Sequence, residues 1–553
     1  MENEEAIGRE GGARMPVHTA WVCLALVAVL FAVIRVRLRN VPLERDEGEY
    51  AYAGQLILHG MSPYAFCYTM KLPGTAAAYA GFFALFGEKR AAVHLGLLLV
   101  NFATVVVLYL LGKDLLGEIA GVVAAASFAL LSTGPSVLGL AAHATQFVVL
   151  PAMCGILLLR KAIASQGTGL LFGSGILFGL AFLMKQPGIC FLGFATSHLL
   201  VTQWRRLDRR ALLIQLTALW AGAVVPFLLT CLLIASTGGF HQFWFWTVSY
   251  AHQYATMQNL SDGLLTLGNN ASEAIGPAIG IWLIAASSVF AFLWDHEVNR
   301  QRVFLCGLLA FSFLGLCPGL YFRPHYFVLL LPAIALLCGA AIRSATLGLR
   351  WHSRSRALAV LPGFAFLLVF GWTIFQQRAF FLENDPVAAC RHIYGVNPFP
   401  EAIEIARFLK DKAAPGDRVA VMGSEPEIYF YSRLRSATGY VYMYPLMEDQ
   451  PYAPIMQKDL SMQIEATLPK FVVSVNVITS WMPRPDSDIK IWSWFDQFVT
   501  ERYEQVGVAD IFADKTVYRW GDEAKNYRPH SQHNVMVFQR KDSKSGMGPH
   551  RTG

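Results

Sequence analysis

Arg45-Asp46-Glu47-Gly48-Glu49-Tyr50 puts three carboxylates within four residues, directly behind the first apolar run of the chain. Carboxylates so placed can take a proton from a hydroxyl group, or together bind a cation. Single cations and imidazoles stand at the ends of other apolar runs, at Lys71, Lys185, Arg323 and His325. Such groups can hold a phosphate and stabilise it as it leaves, and a guanidinium grips it with two parallel hydrogen bonds. General-base carboxylates and phosphate-binding cations in one chain suggest a specific reaction.

The elements that must position these residues are membrane spans. Of 553 residues, 55% are hydrophobic and 15% charged, against about 25% charged in an average soluble chain. Apolar runs long enough to cross a bilayer of about 30 Å recur along the sequence. The first, Val17 to Ile34, is too long for a signal-peptide core and is followed by Arg35, Arg37 and Arg39 instead of a cleavage site, so it reads as an uncleaved span. Further spans are expected near 91–111, 119–138, 146–159, 168–184, 188–202, 211–236, 274–294, 303–320, 326–342 and 357–375, about eleven in all. Thr75 to Phe86 is too short to cross and is expected as an interfacial helix.

Lys113, Arg160, Lys161, Arg205, Arg206, Arg300 and Arg343 all fall in turns on one side of this topology. The positive-inside rule makes that side cytoplasmic, together with residues 1–16. The other side receives the 35–90 loop, the 139–145 turn, Lys185, the 237–273 loop, Arg323-Pro324-His325-Tyr326 and everything after 376. Arg35, Arg37 and Arg39 fit this side poorly, and either snorkel to headgroups or face a phosphate. The net charge of +7 arises from basic residues at span ends and is no nucleic-acid signature.

From about Asn397 the composition becomes soluble. Helices at 400–412, 427–431 and 491–503, with strands at 418–423 and 470–477, predict a small α/β domain within 376–541 and a disordered tail at 542–553. The domain plan is a cytoplasmic 1–16, a transmembrane 17–375 that includes the 35–90 loop, and this tail domain. The nine cysteines have no metal-ligand spacing, and only Cys67 and Cys390 fall outside the membrane, so that they alone are open to a disulfide there. The aromatic run Phe240 to Trp246, with Tyr250 and Tyr254, reads as an interfacial belt or a sugar-stacking lid.

These motifs, in this order, resemble those of the lipid-phosphosugar-dependent glycosyltransferases of the GT-C fold, in the bacterial branch near the protein O-mannosyltransferases, the lipid A aminoarabinose transferases and the rhizobial lipopolysaccharide galacturonosyltransferases. The similarity runs through Asp46-Glu47-Gly48-Glu49-Tyr50, Gly60-Met61-Ser62-Pro63-Tyr64, Lys71-Leu72-Pro73-Gly74, Lys185-Gln186-Pro187, Arg323-Pro324-His325-Tyr326 and Gly423-Ser424-Glu425-Pro426-Glu427. It implies a polytopic α-helical membrane protein, GT-C-like, with an interfacial-helix first external loop and a small extracytoplasmic α/β domain. By the same resemblance, Asp46 is the general base and Glu47 its companion, while Lys71, Lys185, Arg323 and His325 meet the donor phosphate. Tyr50, Tyr64, His143 and Gln146 are candidates for binding sugar or acceptor, and Glu49 is expected to be solvated or capping. Many relatives carry a second carboxylate where this chain has Ala142-His143-Ala144-Thr145-Gln146.

The implied donor is a polyprenyl-phosphate-linked sugar, and the implied acceptor an extracytoplasmic glycan, lipid A or lipopolysaccharide sugar, or protein hydroxyl. The implied location is a bacterial inner membrane with an external active site. A lipid-borne donor agrees with the lack of any G-x-G-x-x-G or P-loop. No metal ligand set is assigned; a divalent cation stays open as a cofactor. The competing expectations are a lipid-linked sugar flippase and a catalytically inactive relative that binds a partner. A flippase calls for midplane charges and paired repeats, which the sequence lacks.

Overall fold

The computed structural model describes residues 15–352 and 357–541. The expected disordered tail, and all but the last two residues of the expected cytoplasmic terminus, lie outside the described residues. Contacts group the chain into two compact units. One holds the residues up to Val41 with Met70–Ala389, and the other Pro42–Thr69 with Cys390 onward. This grouping differs from the hydropathy boundaries, which divide the chain at 375/376 and leave the first external loop with the spans.

The first unit is a helical bundle. Among the described residues, seven of its helices are long and apolar enough to cross a membrane: Val17–Arg37, Arg90–Leu116, Ala144–Ser165, Arg209–Ser236, Leu260–Trp294, Leu331–Trp351 and Leu358–Gln376. Gly74–Phe86, Glu118–Leu131, Thr168–Met184 and Arg302–Leu314 are shorter apolar helices. Continuous apolar sequence drives helix formation here, because every backbone polar group must be satisfied within its own segment once water is gone. Close crossings use small residues. A β-carbon at Gly175 would lie 2.0 Å from the carbonyl oxygen of Leu219, so the Thr168–Met184 and Arg209–Ser236 helices approach backbone to backbone.

Two expectations are revised within this unit. The 237–273 stretch is helical, with Phe240–Trp244, a π-helical turn at Phe245–Tyr250, Ala251–Ala255 and Leu260–Ile275. Asn259 caps the last of these by accepting from the Asp262 N–H. Phe243, Trp246 and Tyr250 of the aromatic run are buried, so the run packs inward as much as it faces outward. Arg35 and Arg37 neither snorkel nor stay open for phosphate. Buried Arg35 donates to the Ser132 carbonyl and to Thr133 Oγ1, while Arg37 donates to the carbonyls of Phe380, Phe381 and Asn384.

The second unit carries a six-stranded sheet in the order β2-β1-β3-β6-β4-β5. Its strands are β1 (Arg418–Met422), β2 (Arg435–Ser436), β3 (Phe471–Asn476), β4 (Tyr503–Ile511), β5 (Thr516–Trp520) and β6 (His533–Arg540). β1 pairs parallel to β2 and β3, and the β3-β6-β4-β5 half is antiparallel. The helices at Phe399–Lys412, Glu427–Ser432 and Lys490–Arg502 and the strands β1 and β3 meet the sequence expectation. The helix Ala453–Thr467 and the strands β2, β4, β5 and β6 are additional. Cys67 and Cys390 are both buried and no disulfide joins them, so the pairing left open for them is not formed.

Segment 42–69 is built into this second unit. Its main element is the helix Arg45–Leu58, buried along most of its length. The Leu43 N–H donates to Tyr431 Oη, the Ser436 N–H to Tyr52 Oη, and the Tyr68 N–H to the Gly439 carbonyl. The Tyr68 ring fills the space a side chain at 439 would need, since a β-carbon there would lie 2.4 Å from it.

Candidate active site

The acidic motif begins a helix through a reciprocal cap. The Glu44 carboxylate accepts from the Glu47 N–H at 2.9 Å, and the Glu47 carboxylate accepts from the Glu44 N–H at 3.2 Å. Two orphan donors of the first turn are thereby satisfied. Glu47, expected beside Asp46 in catalysis, is 1% exposed and serves this cap. Glu49 is buried at 3%, in contrast to the solvated or capping carboxylate expected. Asp46 is the half-buried member of the motif, and its Oδ1 accepts from Tyr442 Oη at 2.8 Å.

Arg45 anchors the same turn. Its Nε donates to the Ser424 carbonyl at 2.7 Å and its Nη2 pairs with Glu425 Oε1 at 2.8 Å, with both side chains buried. Glu425 Oε2 in turn accepts from Ser480 Oγ. The neighbouring Glu427 is wholly buried, and neither of its carboxylate oxygens has a hydrogen-bond partner. Burial first, and then the charge of Glu425, push its carboxyl well above the ordinary value. Burial and the charge of Asp46 likewise hold the Tyr442 phenol above its usual range. The acceptor candidates Tyr50 and Tyr64 are buried at 5% and 1%.

The membrane unit gathers the remaining candidates. Lys71 and Lys185 lie on segments that are tied together: Gln186 Nε2 donates to the Met70 carbonyl at 2.9 Å, and Thr75 Oγ1 to the Met184 carbonyl at 3.0 Å. Gly74 allows this, since a β-carbon there would lie 2.5 Å from the Leu183 carbonyl oxygen. The Lys185 ammonium sits 3.9 Å from the Tyr326 ring centroid, in a cation–π contact. Tyr326 meets His325 edge to face at 4.8 Å, and His325 stacks on His143 at 4.0 Å with rings 9° from parallel. Gln146 donates to the Ser132 carbonyl, the acceptor that Arg35 also uses. Arg323 precedes the turn that carries His325 and lies 5.7 Å from the Tyr321 ring. The sequence identified the cations but not Tyr326, for which an aromatic beside a phosphate-binding candidate was the available signal. It also gave no sign of Tyr442, whose motif in the tail domain carries no charge.

The chain has the fold of solved membrane proteins of the GT-C type. The sequence model of the dolichyl-phosphate-mannose-protein mannosyltransferase family matches residues 71–230, a stretch that includes Lys71, His143, Gln146 and Lys185. ArnT from Cupriavidus metallidurans, solved with undecaprenyl phosphate, superposes with a TM-score of 0.60 at 16% identity, covering 96% of this chain and 99% of that one. The archaeal oligosaccharyltransferase AglB from Archaeoglobus fulgidus, solved with an inhibitory peptide and a dolichol-phosphate, gives 0.51 at 12% identity, covering 95% of this chain and 76% of that one. No curated protein sequence matches significantly.

Proposed function

We propose that the chain is an integral-membrane glycosyltransferase that moves a sugar from a polyprenyl-phosphate carrier to a hydroxyl of an extracytoplasmic acceptor, in a bacterial inner membrane. The acceptor class is a cell-envelope glycan, a lipid A or lipopolysaccharide sugar, or a protein hydroxyl. The observation that carries this reading is the state of Asp46, a half-buried carboxylate held by a phenol on a helix whose other acids are buried, in a chain of GT-C fold. The acceptor oxygen attacks the anomeric carbon as its proton passes to Asp46. The bond to the phosphate oxygen breaks with inversion, and the phosphate departs with the bonding pair.

Lys71, Lys185 and Arg323 are assigned to the phosphate, whose charge grows as it leaves. Lys185 suits the task because the Tyr326 ring holds its ammonium in place. His325, stacked on His143, is assigned an accessory place in the same role. No step is assigned to a metal ion.

The test is sugar transfer in membranes carrying Asp46→Asn. Loss of transfer by about 100-fold or more is expected for removal of a general base. Unchanged transfer would remove Asp46 from the chemistry. Lipid flipping without any transfer by the native chain would favour a transporter.

A further inference from the structure

The hydrogen bond to Asp46 comes from far along the chain. Tyr442 lies 396 residues away, on the strap between β2 and the helix Tyr444–Met447. That strap is fixed on both sides of Tyr442. The Met443 N–H donates to Ser424 Oγ at 2.8 Å, and Tyr444 Oη to the Thr479 carbonyl at 2.6 Å. The Tyr442 ring stands edge to face on Tyr444, with centroids 4.9 Å apart. On the other partner's side, Arg45 is tied to Ser424 and Glu425, and its guanidinium lies 5.6 Å from the Tyr444 ring. Phenol and carboxylate are therefore each clamped through the residue next to them.

A carboxylate at the start of a helix has rotational freedom that a general base cannot use. A donor at Oδ1 restricts that freedom and holds the carboxylate in one orientation for proton transfer. Around the pair stand Arg45, Glu44 and Tyr444, and Tyr394 lies near Asp46, Glu44 and Glu47. Buried beside an anion, the phenol keeps its proton and remains a donor.

We propose that Tyr442 of the carboxyl-terminal domain is a positioning residue for transfer, fixing the Asp46 carboxylate through Oδ1 in the orientation that takes the acceptor's proton. This rests on the reading of Asp46 as base, and it gives the tail domain a part in the reaction. In the transfer step the acceptor oxygen bonds to the anomeric carbon, its proton moves to the Asp46 carboxylate, and the phosphate leaves with its electron pair. Tyr442 neither gains nor loses a proton.

The experiment compares Tyr442→Phe, Tyr440→Phe and Asp46→Asn in the full-length enzyme, with a polyprenyl-phosphate sugar as donor. Tyr440 is the control, because it makes a phenol–carboxylate bond of the same kind on the same strap, to Asp459 at 2.9 Å. Tyr442→Phe keeps the ring and is expected to lower kcat about 10-fold, the scale of a lost orienting contact. Donor KM and thermal unfolding should stay unchanged, and Tyr440→Phe should leave kcat unchanged. A native kcat in Tyr442→Phe overturns the proposal, as does an equal loss in Tyr440→Phe. Should Tyr442→Phe weaken the fold, 3-fluorotyrosine incorporated at 442 keeps ring and hydroxyl while making the phenol more acidic. A kcat that shifts with that acidity supports the proposal, and an identical kcat overturns it. The two readings separate cleanly. Loss in Asp46→Asn with none in Tyr442→Phe defeats this inference alone, whereas native transfer in Asp46→Asn defeats the reading beneath it.

Discussion

Gly48 of the acidic motif lies against Glu427 so closely that a β-carbon at 48 would be 2.5 Å from the Glu427 backbone nitrogen and 2.8 Å from its side chain. The glycine in Asp46-Glu47-Gly48-Glu49 is thus a packing requirement, set by a helix that must touch the backbone of the tail domain. Because the obstacle is backbone, it cannot step aside as a flexible side chain would. Gly48→Ala is expected to lower the stability of this unit by about 1–3 kcal/mol, the range for overpacking a tight contact. Thermal unfolding of the purified chain checks it, and an unchanged or raised midpoint would refute the contact's importance.

The buried pair Arg45–Glu425 makes a second prediction. Removing one member of a buried pair strands the other, at a cost of about 3–5 kcal/mol. Arg45→Met alone leaves Glu425 beside the already unpartnered Glu427, and should sharply reduce the folded yield. Arg45→Met combined with Glu425→Gln should recover much of that loss, since no uncompensated charge remains at 425. Expression level and unfolding midpoint of the two variants, measured side by side, decide the matter. Equal losses would show that the pair is not coupled.

The membrane unit offers a kinetic prediction. The Lys185 ammonium is held over the Tyr326 ring, which fixes its position. Lys185→Ala is expected to cut kcat/KM at least 10-fold, and Lys185→Arg to keep more of it, since a cation can still reach the phosphate. Tyr326→Leu removes the platform but not the charge, and should fall between the two. Steady-state transfer kinetics give the order, and a native rate in Lys185→Ala would exclude the lysine from the donor site.

Much of this architecture was legible because it is written locally. Hydropathy located the helices at Val17–Arg37 and Arg209–Ser236, and an amphipathic pattern located Phe399–Lys412. The chemistry-bearing residue types were legible too, since carboxylates and lysines beside apolar runs stand out. What the sequence withheld is non-local. Nothing between 42 and 69 announces that it folds with residues beyond 390, because those contacts come from complementary shape and hydrogen bonds across hundreds of residues. Strand β6 had a readable alternation at Val535 and Val537, yet its pairing with β3 and β4 needed partners far away in sequence. Glu47 shows the opposite difficulty: the signature of a capping box and that of a catalytic pair are the same letters until the hydrogen bonds are seen.

Glu427 makes the stability of its unit depend on pH. Its carboxyl is raised above the ordinary 4.5 by burial and by Glu425, with Glu44 adding to the effect and Arg45 opposing it. Below the pKa of the unfolded chain, both states hold the proton and the fold suffers nothing. Above that value the unfolded chain releases its proton while the folded chain keeps it, so stability falls as pH rises until the folded carboxyl also ionises. Glu427→Gln stays neutral at every pH and retains the shape. It should therefore match the native chain near pH 4 and exceed it increasingly toward pH 8, by about 2–4 °C in midpoint for each kcal/mol recovered in a domain of this size. Tryptophan fluorescence melts of both proteins across that range provide the measurement. A constant offset between the two curves would mean that the Glu427 carboxyl titrates in the fold as it does in the unfolded chain, and would overturn the raised value.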